Sequence, residues 1–422
     1  MTIGLMLTFF DFRSDVRALI KAICLNHEVV VFIRAEHESK IKRFLIPGMT
    51  YRLIDEQLPG ISNKIAVRTF HLLKKLPSSK QNYYLMEGFK ANGLADAKMR
   101  KRANNILKAQ YYLPHFVSYD SYLNMLRYSG KTDLSGIDKM LALTDIYDDL
   151  LLARLIDEKI KTEVYVYSWD HPCKHVRFSK RVNYLVWNEE IKTDLINLQQ
   201  ISANTIKILG ATQLGFILQY KAVPKVNQKV EKYFVFGCGI GIKSLVEDEI
   251  DTILSLADCI KKTHRDCKLI VRPYPQMHDW SPYNRLLEER IIELDSSCKK
   301  ADLIITEADI LSKFVTIENA TAFFHLGTTL GLEACFTTCP SFIIDIDAKQ
   351  TNPFTLYNFT HQYQNEKYLI NNNPLNTIRS IRQLTETLSE LPNNKYLASN
   401  KRIANQFTSQ TFEALAKKLC ES

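Results

Sequence analysis

Three stretches of the chain carry residues able to hold an anion or move a proton. The first is Phe323-Phe324-His325-Leu326-Gly327-Thr328-Thr329-Leu330-Gly331-Leu332-Glu333-Ala334-Cys335. It reads as the end of an apolar strand, a turn of small residues, and a helix. Free N–H groups at a helix start, with the positive end of its dipole, form a ready anion site. Thr328 or Thr329 suits a helix cap or a phosphate ligand. Glu333, a turn further in, suits a sugar hydroxyl. An ordinary strand-to-helix connection has the same local pattern.

The second stretch is Gly237-Cys238-Gly239-Ile240-Gly241, between the strand-like Tyr233–Phe236 and a helical pattern from Val246 to Lys262. Glycines there let a ligand approach the backbone. The spacing is not that of the dinucleotide fingerprint, whose third glycine stands three residues after the second. The third stretch is Arg272-Pro273-Tyr274-Pro275, at the end of the strand pattern Lys268–Val271. Ligands of open α/β sheets bind at that edge, and a guanidinium fork matches a phosphate. Each stretch also suits a plain turn.

Proton transfer points to the first half of the chain. Ser168-Trp169-Asp170-His171-Pro172 ends an aromatic strand with a carboxylate beside an imidazole, a pairing suited to a general base. Asp11, Asp145, Asp148 and Asp149 follow other strands, where each alone also suits a structural role. Asp345-Ile346-Asp347 matches D-x-D, but three residues at a strand end are little to argue from. No P-loop, H-E-x-x-H or G-x-S-x-G occurs, and no obligatory metal is expected.

These residues need a scaffold of alternating strands and helices. Ile3–Phe10, Asp15–Leu25 and Val29–Ile33 open a β-α-β series, which implies a parallel sheet with a right-handed crossover. Further strands are expected at 51–54, 139–144, 163–170, 182–187 and 206–209, and helices over 62–76, 97–112 and 191–199. Gln219–Val230 is polar, basic and contains Pro224, so it reads as a linker before a second series begins. The expected domains are 1–218, the linker 219–230, 231–390, and a C-terminal helical tail over 391–422. The fold class is α/β with two Rossmann-like halves.

Length agrees: 422 residues suit two domains of ordinary size. Nine scattered cysteines without a CxxC pair indicate reduced thiols and a cytoplasmic setting. The N-terminus reads as a core strand, not a signal peptide. No segment is apolar for the length of a membrane span. Net charge is +9, and from Lys40 to Lys131 there are 17 Lys or Arg against 5 Asp or Glu, with eight Tyr or Phe from Tyr83 to Tyr122. Arg100-Lys101-Arg102 is the densest run. Basic and aromatic residues together suit an anionic membrane or a charged lipid-linked acceptor, or a solvated helical face over core aromatics. No nucleic-acid-binding pattern is present.

Taken together, the second half resembles the C-terminal domain of GT-B glycosyltransferases. The matching pieces are Phe236–Gly241, Arg272-Pro273-Tyr274-Pro275, and Gly327-Thr328-Thr329-Leu330-Gly331-Leu332-Glu333-Ala334 with the following Pro340. Ser168-Trp169-Asp170, Val186-Trp187-Asn188-Glu189 and Leu209-Gly210-Ala211-Thr212-Gln213 are similar to bacterial surface-polysaccharide transferases of this type. The resemblance covers about residues 138–370; the residues before it match only in their β-α pattern. It implies a nucleotide-sugar co-substrate and no other cofactor. Its donor would be held by Gly239, Gly241, Arg272, Tyr274, His325, Gly327, Thr328, Thr329 and Glu333. A glycan or lipid-linked acceptor would come from the N-terminal domain, with Asp170 or Asp11 as the base of an inverting reaction. The tail would pack back toward the N-terminal domain. Many relatives, including transferases of CMP-linked acidic sugars and polymerases using CDP-glycerol, carry His-Pro where this chain has Tyr274-Pro275. The resemblance also admits a nucleotide-sugar 2-epimerase, a CDP-glycerol glycerophosphotransferase, or a degenerate, non-catalytic binding subunit.

Overall fold

A computed structural model describes residues 1–7, 13–57, 60–78, 80–94, 96–143, 148–222, 232–238, 246–274, 281–295, 304–346 and 369–421. The chain divides into two compact units. One comprises Met1–Tyr83, Asn105–Gly215 and Thr408–Ser422; the other comprises Tyr84–Asn104 and Phe216–Phe407.

The first unit is built on a parallel sheet of seven strands. They are β1 (Thr2–Met6), β2 (Glu28–Ile33), β3 (Met49–Leu53), β4 (Lys139–Ala142), β5 (Thr162–Tyr165), β6 (Asn183–Val186) and β7 (Ile206–Ile208). Their order is β3-β2-β1-β4-β5-β6-β7. The central strands are apolar on both faces because helices cover both. The helix Ser14–Cys24 buries Val16, Leu19, Ile20 and Ile23 at helical spacing. Against it lies the C-terminal helix Phe412–Glu421, which buries Phe412, Leu415, Ala416 and Leu419. Lys139 is buried in β4. It pairs with Glu163 at 2.7 Å and donates to the Leu419 carbonyl at 2.5 Å, so the tail helix completes its hydrogen bonding.

The second unit repeats the plan with six parallel strands: β8 (Tyr233–Gly237), β9 (Lys268–Arg272), β10 (Glu293–Leu294), β11 (Ala322–His325), β12 (Ser341–Ile344) and β13 (Thr377–Ile378). Their order is β10-β9-β8-β11-β12-β13. Val235, Ile317, Ala320, Phe323, Ala334 and Cys339 pack together in its core. The helix Glu307–Glu318 starts on a reciprocal capping box between Thr306 and Asp309. In both sheets the strand order reverses beside the first strand, between β1 and β4 and between β8 and β11. Open α/β sheets bind ligands outside the strand ends at such points.

The doubly wound expectation holds in both units; several boundaries differ. The first strand stops at Met6, and residues 8–12 lie outside the described residues. The expected linker is helical as far as Ala222, as the end of a Gly215–Ala222 helix, and its remainder is outside the described residues. The helix expected over 62–76 is Gly60–Leu73; beyond it Lys74 bridges to Val117 as a strand would. Helices at Lys80–Asn92 and Tyr119–Met125 were not expected, because their aromatic residues lack a clear period.

Candidate functional site

In the second unit, strand register brings one residue from each of the three stretches onto one line. Arg272 of β9 lies opposite Gly237 of β8, and Gly237 lies opposite His325 of β11. The spacing between paired strands puts Arg272 and His325 about 10 Å apart across the sheet. A side chain at Gly237 would not fit. A Cβ there would come within 2.5 Å of the Phe323 ring and 2.8 Å of Leu330.

Beyond His325 the chain turns at Gly327, whose φ of +80° favours glycine. Thr328 then caps the short helix Thr329–Ala334, its hydroxyl accepting the Gly331 N–H at 3.3 Å. The cap expected from the sequence is therefore Thr328. The buried His325 ring occupies the turn from inside: its Nδ1 accepts the N–H of Gly327 at 3.1 Å and of Thr328 at 3.2 Å. The ring is thus neutral with its proton on Nε2, and burial pushes its pKa down to about 3. The helix rests so closely on the imidazole that a Cβ at Gly331 would sit 2.0 Å from it. These contacts engage the amides of Gly327, Thr328 and Gly331, leaving those of Thr329 and Leu330 as the first-turn donors that neither His325 nor Thr328 takes up.

The two charged residues of this edge are both buried in ion pairs. Arg272 bonds Asp295, whose N–H continues the ladder to Val271 at 2.9 Å. Glu333 bonds Lys313 of the Glu307–Glu318 helix. The edge offers oriented donors with its charge balanced. Tyr274 is half-buried beyond Arg272, while Gly239 and Gly241 lie outside the described residues.

In the first unit, polar side chains stitch together the ends of β5 and β7 and the start of the Ser14–Cys24 helix. Arg13 grips Asp15 with two bonds of 2.8 and 2.6 Å, and Asp15 accepts the Thr212 hydroxyl at 2.6 Å. The Tyr165 hydroxyl accepts the Thr212 N–H at 2.9 Å. Arg13 lies over the Tyr167 ring at 4.4 Å, and Tyr167 meets His171 edge-on at 4.6 Å. Next to this cluster, Asp170 accepts from the Ser168 hydroxyl at 2.6 Å and from Lys174 at 2.5 Å. Burial opposes its charge, but Lys174 and Ser168 outweigh burial and hold its pKa below the ordinary carboxylate value. Asp170 is thus an oriented, ionised carboxylate.

The other carboxylates divide by environment. Asp11 and Asp145 are outside the described residues. Asp148 caps the helix Asp149–Asp157 and pairs with Arg34 at 2.6 Å, a structural role. Asp149 is pushed up by burial, although Arg177 and the hydroxyls of Tyr119 and Tyr122 pull the other way. Glu190 and Asp194 went unnoticed in the sequence. They stand four apart on the helix Glu189–Gln199, which follows β6 and is capped by Asn188. Burial, with Asp194 adding repulsion, pushes Glu190 up to about 9, and burial pushes Asp194 up to about 6. The i, i+4 carboxylates were legible as a pattern; their desolvation was not. Arg100, Lys101 and Arg102 are exposed on the helix Ala97–Tyr112, which has no acidic residue.

No family model matches this chain, and no curated protein matches it in sequence. Solved structures match over nearly full length. A UDP-GlcNAc 2-epimerase from Methanocaldococcus jannaschii, in complex with UDP-GlcNAc and UDP, superposes with a TM-score of 0.51 at 12% identity, covering 100% of this chain and 99% of its own. A putative UDP-N-acetylglucosamine 2-epimerase from Listeria monocytogenes gives 0.53 at 10%, covering 99% and 94%. UGT89C1 of Arabidopsis thaliana gives 0.51 at 11%, covering 100% and 98%. At these identities the likeness shows the fold: two Rossmann-like domains of the GT-B type.

Proposed function

We propose that this protein is a glycosyltransferase that moves a sugar from a nucleotide-activated donor to a bacterial surface glycan or glycolipid at the inner face of the cytoplasmic membrane. The observation that carries this reading is the line Arg272–Gly237–His325 at the β8/β11 reversal, ending in the Thr328-capped turn. The donor phosphate lies along this edge. It takes hydrogen bonds from the Thr329 and Leu330 amides, and from the Arg272 fork, which Asp295 holds in orientation. Tyr274 stands half-buried just beyond Arg272. Thr328, Gly327 and His325 shape the turn, and Glu333 fixes its helix through Lys313.

In the reaction the acceptor hydroxyl attacks the anomeric carbon and the donor's nucleotide leaves through its phosphate oxygen with the bonding electrons. A carboxylate of the first unit, Asp170 or Asp11, takes the hydroxyl proton in an inverting course. The Arg272 fork stabilises charge growing on the leaving phosphate.

Thermal shift against UDP-, GDP-, CMP- and CDP-linked donors tests the reading. A ligand at a hundred times its Kd adds about 2.7 kcal/mol of stability. No shift with any nucleotide would leave a non-catalytic binding subunit as the better account. A donor that binds with equal affinity to Arg272→Ala would remove Arg272 from the phosphate site.

A second reading, a nucleotide-sugar 2-epimerase, is favoured by the full-length likeness to two proteins described as such enzymes. Incubation with UDP-GlcNAc alone separates the two: an epimerase converts it without an acceptor, and a transferase requires one.

A further inference from the structure

The helix Gly60–Leu73 of the first unit carries an apolar face that folding does not explain. Its inner stripe is Asn63, Ala66 and Phe70. Asn63 is bonded both ways to the Arg127 backbone, donating at 2.6 Å and accepting at 2.8 Å. Phe70 stacks on Tyr122 with ring centroids 4.4 Å apart. These contacts fix which side of the helix faces the core.

The opposite side should be polar. At about 100° per residue, Ile61, Ile65, Arg68 and Leu72 form a single stripe turned roughly half a circle from the inner one. Ile61 is 76% exposed, Ile65 58% and Leu72 38%. Lys64 and Arg68 stand exposed among them, and the helix contains no acidic residue. At its C-terminal end the helix is tied to the segment 110–117. Gln110 donates to the His71 carbonyl at 2.6 Å, and the Val117 N–H donates to the Leu73 carbonyl at 3.0 Å. That segment exposes Tyr111, Tyr112 and Phe116. Aliphatic side chains and cations without acids on one helix, with exposed aromatics on the neighbouring segment, are the composition of an in-plane interfacial helix.

We propose that this outer stripe docks the first unit on an anionic lipid surface. Ile61, Ile65 and Leu72 enter the acyl boundary, Lys64 and Arg68 meet lipid phosphate, and the aromatics of 111–116 sit at headgroup level. The inference deepens the proposed function, since a membrane-held acceptor gives the docking its purpose. Its evidence is separate, and vesicle binding is measured without nucleotide, so either reading can fail alone.

The test is co-sedimentation of the full chain with vesicles rich in phosphatidylglycerol, against vesicles of phosphatidylcholine only. Binding is expected to the anionic vesicles, weakening as salt rises. Lys64→Gln with Arg68→Gln should lower the partition coefficient about thirtyfold. Ile61→Ser, Ile65→Ser and Leu72→Ser together should abolish it, and these exposed sites leave the fold intact. Ile65→Trp should add emission that brominated acyl chains quench. Equal partition into both vesicle types overturns the proposal, and so do stripe variants that bind like the unaltered protein. A dimer in light scattering that Ile65→Ser dissociates also overturns it, by assigning the face to a second copy.

Discussion

His325 and Gly331 decide the shape of the candidate donor turn between them. The imidazole supplies the acceptor that the Gly327 and Thr328 amides need, and Gly331 has no side chain to hold the helix away. Gly331→Ala would put a methyl group where the ring lies. Such overpacking costs about 1–3 kcal/mol, so a lower melting temperature and weaker nucleotide binding are expected together. Glu190 and Asp194 give a pH signature. Both are acids whose folded pKa is raised, so their neutral forms favour the folded state. Their contribution is complete below the ordinary carboxylate pKa. It is lost as pH rises through about 6 for Asp194 and about 9 for Glu190. Glu190→Gln should therefore raise the melting temperature at pH 8 and hardly change it at pH 4, as thermal denaturation across that range would show. At this scale the strand, the turn and its Thr328 cap were legible in the sequence, but the turn's internal wiring was not. Thr328 as the cap follows from residue type and position. That His325 points inward, and that Arg272 and Glu333 each meet a buried partner, depends on Asp295 and Lys313, which lie about twenty residues away in the chain.

Among the elements, the C-terminal helix Phe412–Glu421 does the most at a distance. Its four buried apolar residues cover the Ser14–Cys24 helix, and its Leu419 carbonyl completes the buried Lys139–Glu163 pair. Ending the chain after Phe407 removes both contributions. Each large apolar side chain is worth about 1.5–3 kcal/mol, so a loss of at least about 5 kcal/mol is expected from calorimetry of the truncated chain. Strands and the long amphipathic helices were legible, because β-branched runs and helical spacing are local signals. Ser14–Cys24 and Val246–Thr263 fall close to their expected ranges. The helix Tyr119–Met125 was not, since Tyr119 and Tyr122 are buried through contacts with Phe70 and Asp149 that no local period announces.

At the scale of the whole molecule, the same strand plan occurs twice, and each copy reverses its order beside its first strand. The two edges differ in chemistry. The second unit's edge is lined by amides and balanced ion pairs. The first unit's edge carries Asp170 and the Arg13–Asp15–Thr212 cluster. Alternation of strand and helix announced the two sheets, but not that Tyr84–Asn104 would group with the second one. The net charge of +9 belongs to this scale too. Cationic helices without acids, Gly60–Leu73 and Ala97–Tyr112, carry much of the excess, which biases encounter toward anionic surfaces.

The chain leaves the first unit after Gly215 and re-enters it at Thr408. Those two points are neighbours: Gln410 donates to the Leu209 carbonyl at 3.2 Å, and a Cβ at Gly210 would lie 3.4 Å from the Thr408 carbonyl. In topological terms most of the second unit is an insertion, spliced into the first through one narrow gate. Residues 216–407 should be removable as a cassette, with a short glycine-rich bridge joining Gly215 to Thr408. The remaining polypeptide would keep all seven strands of the first sheet and the tail helix that seals it. The same gate is a natural crossover site at which the second unit can be exchanged for another of the same strand plan.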